Sequence, residues 1–286
     1  MDSTVQTTVV CTLENSMSTE STTEGGFGSV ENVARSAGGM LVRSSPVLAL
    51  LAIWQVTGLL GALPPYLPAP TTILSNLIEM MEEGTLVKNA WATLQLVYTG
   101  FFGGAALGIA LGVVTGRTPI FGRLFDPLVS ATYPIPKIAL YPIFVIIFGI
   151  GFMSKAIVVF LAAFYPVYIH TFDGVRGVPE LHVWSAQNFN ASRFQILSEV
   201  VIPDSLPQIL SGLRVGLALS FIVVFSAELI QSELGLGQMA LQARQFSNFE
   251  LMFSAITMIA LFGVIHDRLL LLIRGRLLQW QGGDDA

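Results

Sequence analysis

Residues 90–115 read AWATLQLVYTGFFGGAALGIALGVVT, twenty-six consecutive positions without a charged side chain. A helix that crosses a bilayer needs roughly 20 apolar residues at about 1.5 Å per residue, so the stretch is read as a membrane span. Gly100, Gly104, Gly108 and Gly112 recur at every fourth position along it, with Gly103 alongside. Small residues at that spacing let a second helix approach closely. The partner helix belongs either to the same bundle, the simpler option, or to another copy of the chain. The glycines form no phosphate-binding motif.

Working outward, apolar stretches alternate with short charged or Pro/Gly-rich breaks. Five further segments qualify as spans, roughly 46–63, 127–149, 154–173, 207–230 and 251–273, which makes six in all. The first is short. The third is the least regular, because Pro127, Pro134, Pro136 and Pro142 interrupt it, and proline within a bilayer needs protein or cavity water to satisfy the carbonyls it frees. The composition agrees: 53% of the 286 residues are hydrophobic, 12% are charged, and the mean hydropathy is +0.69, against roughly 25% charge in soluble domains. The expected fold is an all-α integral membrane bundle.

Several chemistries are excluded. A net charge of −5 offers no basic patch for nucleic acid. Cys11 is the single cysteine, so no disulfide framework or cysteine-based metal site can form within the chain. His170, His182 and His266 are scattered singly, with no HExxH spacing, and read as isolated surface or interfacial residues; no metal site and no catalytic residue is expected. Residues 1–45, rich in Ser and Thr, read as a disordered cytoplasmic tail. They lack the positive start and immediate apolar core of a cleaved secretory signal.

Cytoplasmic loops retain Lys and Arg more than exported ones do. With the N-terminus inside, the cytoplasmic segments hold Arg35, Arg43, Arg117, Arg123, Arg176, Arg193, Arg268, Arg274 and Arg276, with Arg214 near a span entrance; the external segments keep Lys88, Lys155 and Arg244. Both termini are therefore expected in the cytoplasm, the membrane domain over 46–276, and a short C-terminal tail over 277–286. The longest break between spans, 174–206, then faces the cytoplasm too. It opens with Gly174, Gly177 and Pro179, continues as a helix-compatible run from Glu180 to Val201, and closes at Pro203 and Pro207. By composition it is equally a docking element for a soluble partner or a long loop.

The residues themselves decide between those two. Trp184-Ser185-Ala186, Asn190-Ala191-Ser192 and Ile202-Pro203 fall in one register, followed by Pro207 and Gly212-Leu213-Arg214. Upstream come Leu67-Pro68-Ala69-Pro70, Pro136-Lys137-Ile138-Ala139, Pro142, Phe148-Gly149, Ser154-Lys155 and Phe164-Tyr165-Pro166; downstream come Ala227-Glu228 and Gly235-Leu236-Gly237. In this order, over nearly everything after residue 45, the chain resembles the inner-membrane permeases of binding-protein-dependent ATP-binding-cassette (ABC) importers, particularly the sulfonate, taurine, nitrate and bicarbonate branch. The family signature resembles E-A-A, three residues, then G-A-S. Trp184 stands where that pattern has an acidic residue, and Asn190 where it has glycine. Asn tolerates the left-handed conformation, so Asn190 can keep a turn between two short helices. Trp184 is either an aromatic anchor for a groove on the ATPase or packs back on its own bundle or the membrane interface.

The resemblance implies a six-helix importer permease bundle in a prokaryotic plasma membrane, with a cytoplasmic coupling helix formed by Trp184, Ser185, Ala186, Asn190, Ala191, Ser192 and Pro203. It implies a second permease copy, most simply in a homodimer, an ATPase dimer that holds the ATP and magnesium, and an extracytoplasmic binding protein that delivers the solute. No G-x-x-x-x-G-K-[ST] loop occurs in this chain, so it needs no cofactor of its own and is a transport subunit, not an enzyme. Closure of the ATPases would rock the bundles through the coupling helix.

Within the spans, Lys137 follows two prolines in the irregular third segment. Its cation suits a small anionic solute of sulfonate, taurine, nitrate, bicarbonate or carboxylate type; the alternative is that it snorkels to the cytoplasmic surface. Glu228 could gate the exit, pair with a neighbour, or sit among headgroups. Tyr133, Tyr141, Phe164 and Tyr165 are candidate pathway residues that could equally be packing or interface aromatics. A secondary transporter driven by an ion gradient would also explain six spans with an intramembrane Lys and Glu, but not the coupling-type loop, and no second half forms an internal repeat. A membrane-embedded enzyme would need a nucleophile and base or a metal cluster, and the spans hold no paired His, no Asp/Glu dyad and no G-x-S-x-G elbow.

Overall fold

The structure is a computed structural model that describes residues 45–230 and 232–279. The expected tails 1–45 and 277–286 lie almost wholly outside the described residues. The chain divides at Leu60 into two units. The first contains helix α1, Ser45–Leu59, which is apolar but short of a full span; Thr57 Oγ1 donates back to the carbonyls of Ile53 and Trp54 within it.

Among the described residues, every regular element of the second unit is helical. It comprises α2 (Pro70–Glu82), α3 (Thr85–Arg117), α4 (Pro119–Thr132), a single 3-10 turn (Lys137–Leu140), α5 (Tyr141–Phe148), α6 (Phe152–Arg176), α7 (Glu180–Asn188), α8 (Ile202–Ile230), α9 (Leu236–Gln245) and α10 (Phe249–Leu277). Four helices are long and apolar enough to cross a membrane: Thr85–Arg117, Phe152–Arg176, Arg193–Ile230 and Phe249–Leu277. A fifth crossing is available from α4 together with the 3-10 turn and α5, a pair bent by 88°. The third expected segment is thus corrected from one irregular helix to two helices at a corner, because Pro134 and Pro136 remove successive backbone donors between them. The expected 46–63 span ends at Leu59.

The glycine stripe of α3 packs inside the bundle. A methyl group built on Gly100 would stand 2.6 Å from Val159, one on Gly108 3.0 Å from the Phe164 carbonyl, and one on Gly112 2.7 Å from Thr171, all on α6. The seam left open by the sequence is therefore the α3–α6 contact. On its other side α6 meets α8, where a methyl on Gly212 would stand 2.7 Å from His170. Val97, Phe101, Val159, Ala163, Val167, Leu217 and Val224 fill the core between these three helices, and Leu236 and Met239 extend it onto α9. By contrast α10 buries little beyond Ser254, Ala255 and Ile259, so most of its apolar surface faces outward, as lipid-facing surface does.

Pro203 and Pro207 do not close the polar segment. A turn at Arg193–Gln195 and a π-helical stretch over Ile196–Val201 lead straight into α8, giving a continuous helical run of 38 residues. At about 1.5 Å per residue this is roughly 57 Å, nearly twice a hydrocarbon core of about 30 Å, so its first turns project out of the bilayer. The wider π turns end immediately before Ile202-Pro203, where the backbone must accommodate a residue with no N–H. Helices α2 and α9 were not read from the sequence. The signal for α9 was present: Leu236, Met239, Ala240 and Ala243 follow helical spacing, and all four are buried.

Candidate functional site

Two regions carry the candidate residues. One is the projection at the shared end of α6 and α8; the other is the corner between α4 and α5 with the faces around it.

At the projection, Pro179 precedes α7, and the helix turns its inner face, Val183 and Ala186, onto a small core of Val175, Val178, Ile196 and Val201. Its end is a hydrogen-bonded cap. Asn190 has φ +59, its N–H donates to the Gln187 carbonyl at 2.9 Å, and the Ala191 N–H donates to the Ala186 carbonyl at 3.1 Å. This pair of bonds around one left-handed residue is the Schellman arrangement, whose preferred residue is glycine and whose usual substitute is Asn. Asn190 therefore keeps the turn that glycine would make. Ala186 and Ala191 both pack against the small core of Val175, Val178, Ile196 and Val201. Ser192 then opens the next turn with a capping box: its Oγ accepts from the Gln195 N–H at 3.3 Å, and the Gln195 side chain accepts from the Ser192 N–H at 2.9 Å.

Trp184 points away from this small core and is 56% exposed, with its rim on a shallow cavity beside Gly116, Arg117 and Arg176. Leu181, Phe189 and Phe194 are more exposed still. Ser185 is exposed beside Trp184, while Pro203 is half-buried at the head of α8. One side-chain bond ties α7 to α8: His182 Nδ1 lies 2.5 Å from Asp204 Oδ2. His182 thus has a specific partner where the sequence suggested an isolated residue.

The corner brings Tyr133, Lys137, Phe164 and Tyr165 together. The Lys137 ammonium donates to the carbonyls of Thr132 at 3.0 Å, Tyr133 at 2.9 Å and Ile135 at 2.9 Å, and lies 3.9 Å from the centre of the Tyr165 ring. An ammonium has three donors, and here three carbonyls freed by the broken helix take all of them. The Tyr165 hydroxyl donates to Thr132 Oγ1 at 3.0 Å, and the Phe164 and Tyr133 rings pack edge-on and tilted against Tyr165. Lys137 thereby staples the 88° corner.

Tyr141 and Glu228 lie elsewhere. Tyr141 is buried against Val158 and Ala227. Glu228 is wholly buried and accepts from Thr93 Oγ1 at 2.9 and 3.0 Å and from the Gly237 N–H at 2.9 Å. Thr93 Oγ1 in turn accepts from the Leu236 N–H at 2.9 Å, and Asn89 accepts from the Gly235 N–H at 2.9 Å. Gly235 has φ +129, and a Cβ there would collide with the Glu228 carboxyl group. Nearby, Lys155 donates to Ser232 at 2.7 Å. Together these bonds latch the start of α9 onto α3. The latch was missed because Thr93, Asn89 and the backbone of 235–237 carry no signature in sequence. The bidentate pair between Arg214 on α8 and Asp267 on α10 was missed differently: opposite charges inside two apolar segments are a readable signal that had not been paired.

Comparison with known proteins follows the same lines. The family described as "binding-protein-dependent transport system inner membrane component" matches residues 104–279. The chain is 34% identical over 233 residues to the putative aliphatic sulfonates transport permease protein SsuC of Bacillus subtilis, covering 81% of this chain and 84% of that protein. It is 33% identical over 239 residues to the taurine transport system permease protein TauC of Escherichia coli (82% and 87%). It is 29% identical over 242 residues to the bicarbonate transport system permease protein CmpB of Synechococcus elongatus (80% and 86%). Among solved structures, the MetNI methionine ABC transporter in an inward-facing conformation aligns with a TM-score of 0.59 at 19% identity, covering 68% of this chain and 97% of that one, a likeness of fold.

Proposed function

The chain belongs to the binding-protein-dependent transport system inner membrane components, the permease subunits of ABC transporters, and from that premise we propose that it imports a small anionic or zwitterionic solute of the sulfonate, taurine or bicarbonate type, driven by ATPases that dock on α7. As a permease it is a multi-pass transport component and not an enzyme. The observation that carries the docking reading is the exposed apolar edge of α7. Trp184 and Leu181 are presented on a helix whose end is fixed by the Asn190 cap and whose side is tied to α8 through His182 and Asp204. An apolar anchor on a rigid projection is how an interface concentrates its energy. A push on α7 passes to α8 through that bond and through the small core beneath it, and α8 is the helix that carries Arg214 and Glu228 into the bundle.

The cargo class rests on the relatives. The three donors of Lys137 are engaged by carbonyls, so what it offers an anionic solute is its charge. Delivery by a separate binding protein, a second permease copy and an ATPase pair follow from the family. A cytoplasmic position for α7 agrees with the arginines Arg117, Arg123, Arg176 and Arg193 near it. The C-terminal end of α10 shares that side, since α8 and α10 run in opposite directions and are joined by the Arg214–Asp267 pair. An ion-gradient-driven transporter is not favoured by any of these features.

Purification of the tagged chain from native membranes tests the proposal. An ATPase that co-elutes, and whose retention falls about thirtyfold with Trp184→Ala, as loss of an interface hot spot worth about 2 kcal/mol requires, supports it. A chain that elutes alone from gently solubilised membranes refutes it.

A further inference from the structure

At the corner where α3 ends and α4 begins, a cavity of about 450 Å³ opens against the last turns of α6. Arg123 of α4 and Arg176 of α6 line it, together with Thr115, Asp126 and Phe172. Among the described residues neither arginine has a carboxylate within ion-pair distance; the two ion pairs found lie elsewhere, at His182–Asp204 and Arg214–Asp267. Asp126 is the one acidic residue in the lining, and one of its oxygens accepts from Ser130 Oγ on its own helix at 3.5 Å. The Arg176 guanidinium lies 5.8 Å from the Phe172 ring. The cavity therefore has two cations to one anion.

Its surroundings identify the occupant. Arg123 sits about one turn, roughly 6 Å, into α4; Pro119, Gly122, Asp126 and Pro127 line the cavity along the same helix, and on the face beside them Ile120, Leu124 and Leu128 are exposed at i, i+4 and i+8. Such a stripe suits hydrocarbon, and neither water nor the polar surface of a soluble subunit would cover it well. A phosphate-binding cavity at the membrane boundary, continuous with an apolar stripe running into the bilayer, matches a phospholipid in shape and charge. Basic pockets between membrane helices on the cytoplasmic side hold anionic headgroups in the same way, and the guanidinium fork suits phosphate.

We propose that this cavity binds the headgroup phosphate of an anionic phospholipid between Arg123 and Arg176, with an acyl chain lying along Ile120, Leu124 and Leu128. The site borders the Trp184 cavity through Gly116 and Arg176, so the test reads lipid binding apart from ATPase association.

Native mass spectrometry of the full-length chain in detergent, titrated with phosphatidylglycerol or phosphatidylcholine of identical acyl chains, provides the test. The expected result is a preference for phosphatidylglycerol that falls about fivefold for either Arg123→Gln or Arg176→Gln and about thirtyfold for both, from about 1 kcal/mol per arginine. Arg274→Ala, elsewhere on the same side, leaves the preference unchanged. Helical circular dichroism checks that each variant is folded, and the single variants suffice should the double one unfold. Equal binding of the two lipids overturns the proposal, as does an equal loss with Arg274→Ala, which signifies diffuse attraction. Displacement of phosphatidylglycerol by millimolar inorganic phosphate would identify a free-phosphate site instead. Loss of ATPase association in the double variant, with lipid preference intact, would assign the arginines to the partner protein. A cavity closed to lipid by a second copy of the chain would show as a dimer that excludes lipid and dissociates in the variants.

Discussion

Replacing Glu228 by alanine removes the acceptor at the centre of the α3–α9 latch. Two donors lose their partner in the buried interior: the Thr93 hydroxyl, now 2.9 and 3.0 Å from the carboxylate oxygens, and the Gly237 N–H at 2.9 Å. Leaving a buried donor unsatisfied costs about 1–3 kcal/mol, so two put the expected loss at about 2–6 kcal/mol, with the emptied volume of a fully buried side chain adding to it. Glu228→Gln keeps the shape and one acceptor and should lose about half as much. The Thr93→Val, Glu228→Ala double-mutant cycle should give a coupling of about 0.6 kcal/mol, the average for hydrogen bonds within a membrane protein, and no more than about 1.7 kcal/mol. The assay is reversible unfolding in mixed micelles, alongside proteolysis of the 232–248 segment, which should become faster once α9 is no longer held. A Glu228→Ala protein as stable as the parent, with α9 equally protected but transport abolished, would refute the latch and return Glu228 to the pathway.

Three further outcomes follow from the geometry. Asn190→Gly should leave ATPase coupling and stability within about 0.5 kcal/mol, whereas Asn190→Val should destabilise the α7 cap by about 1–2 kcal/mol, the penalty for a left-handed L-residue; stimulated ATP hydrolysis in the assembled complex reads both. Gly108→Val overpacks the α3–α6 seam, where a methyl would already stand 3.0 Å from the Phe164 carbonyl, and should lower stability by about 1–3 kcal/mol or more; Gly263→Val, with nothing within 4 Å, is the matched control, and equal thermal shifts would place the seam elsewhere. Arg214→Asp and Asp267→Arg should each impair transport, with the exchanged pair recovering part of it; no recovery would mean that the two side chains act separately.

What sequence revealed and what it missed divide along physical lines. Apolar runs long enough to span a bilayer mark α3, α6, α8 and α10, because lipid imposes length and apolarity on each helix by itself. The Asn190 turn was legible for a similar reason: one backbone conformation favours very few residues. The third span was marked as irregular by its prolines, but its 88° corner was not foreseen, since the direction of a break depends on what satisfies the freed carbonyls. Here that is Lys137, five residues or fewer from each carbonyl it caps. The partners of Glu228 escaped notice because one is a threonine 135 residues away and another is a backbone N–H, and neither has a periodicity to read. Helix α9 was missed although its buried face is regular, because a ten-residue helix falls well below the length at which a span announces itself.

The most direct test of the central claim is uptake of a labelled alkanesulfonate, taurine or bicarbonate into vesicles that carry the reconstituted complex and its binding protein. Uptake that requires ATP on the α7 side, survives ionophores that collapse ion gradients, and weakens with Trp184→Ala is the expected result. Uptake that proceeds without ATP or the ATPase and stops when the ion gradient is collapsed would contradict it.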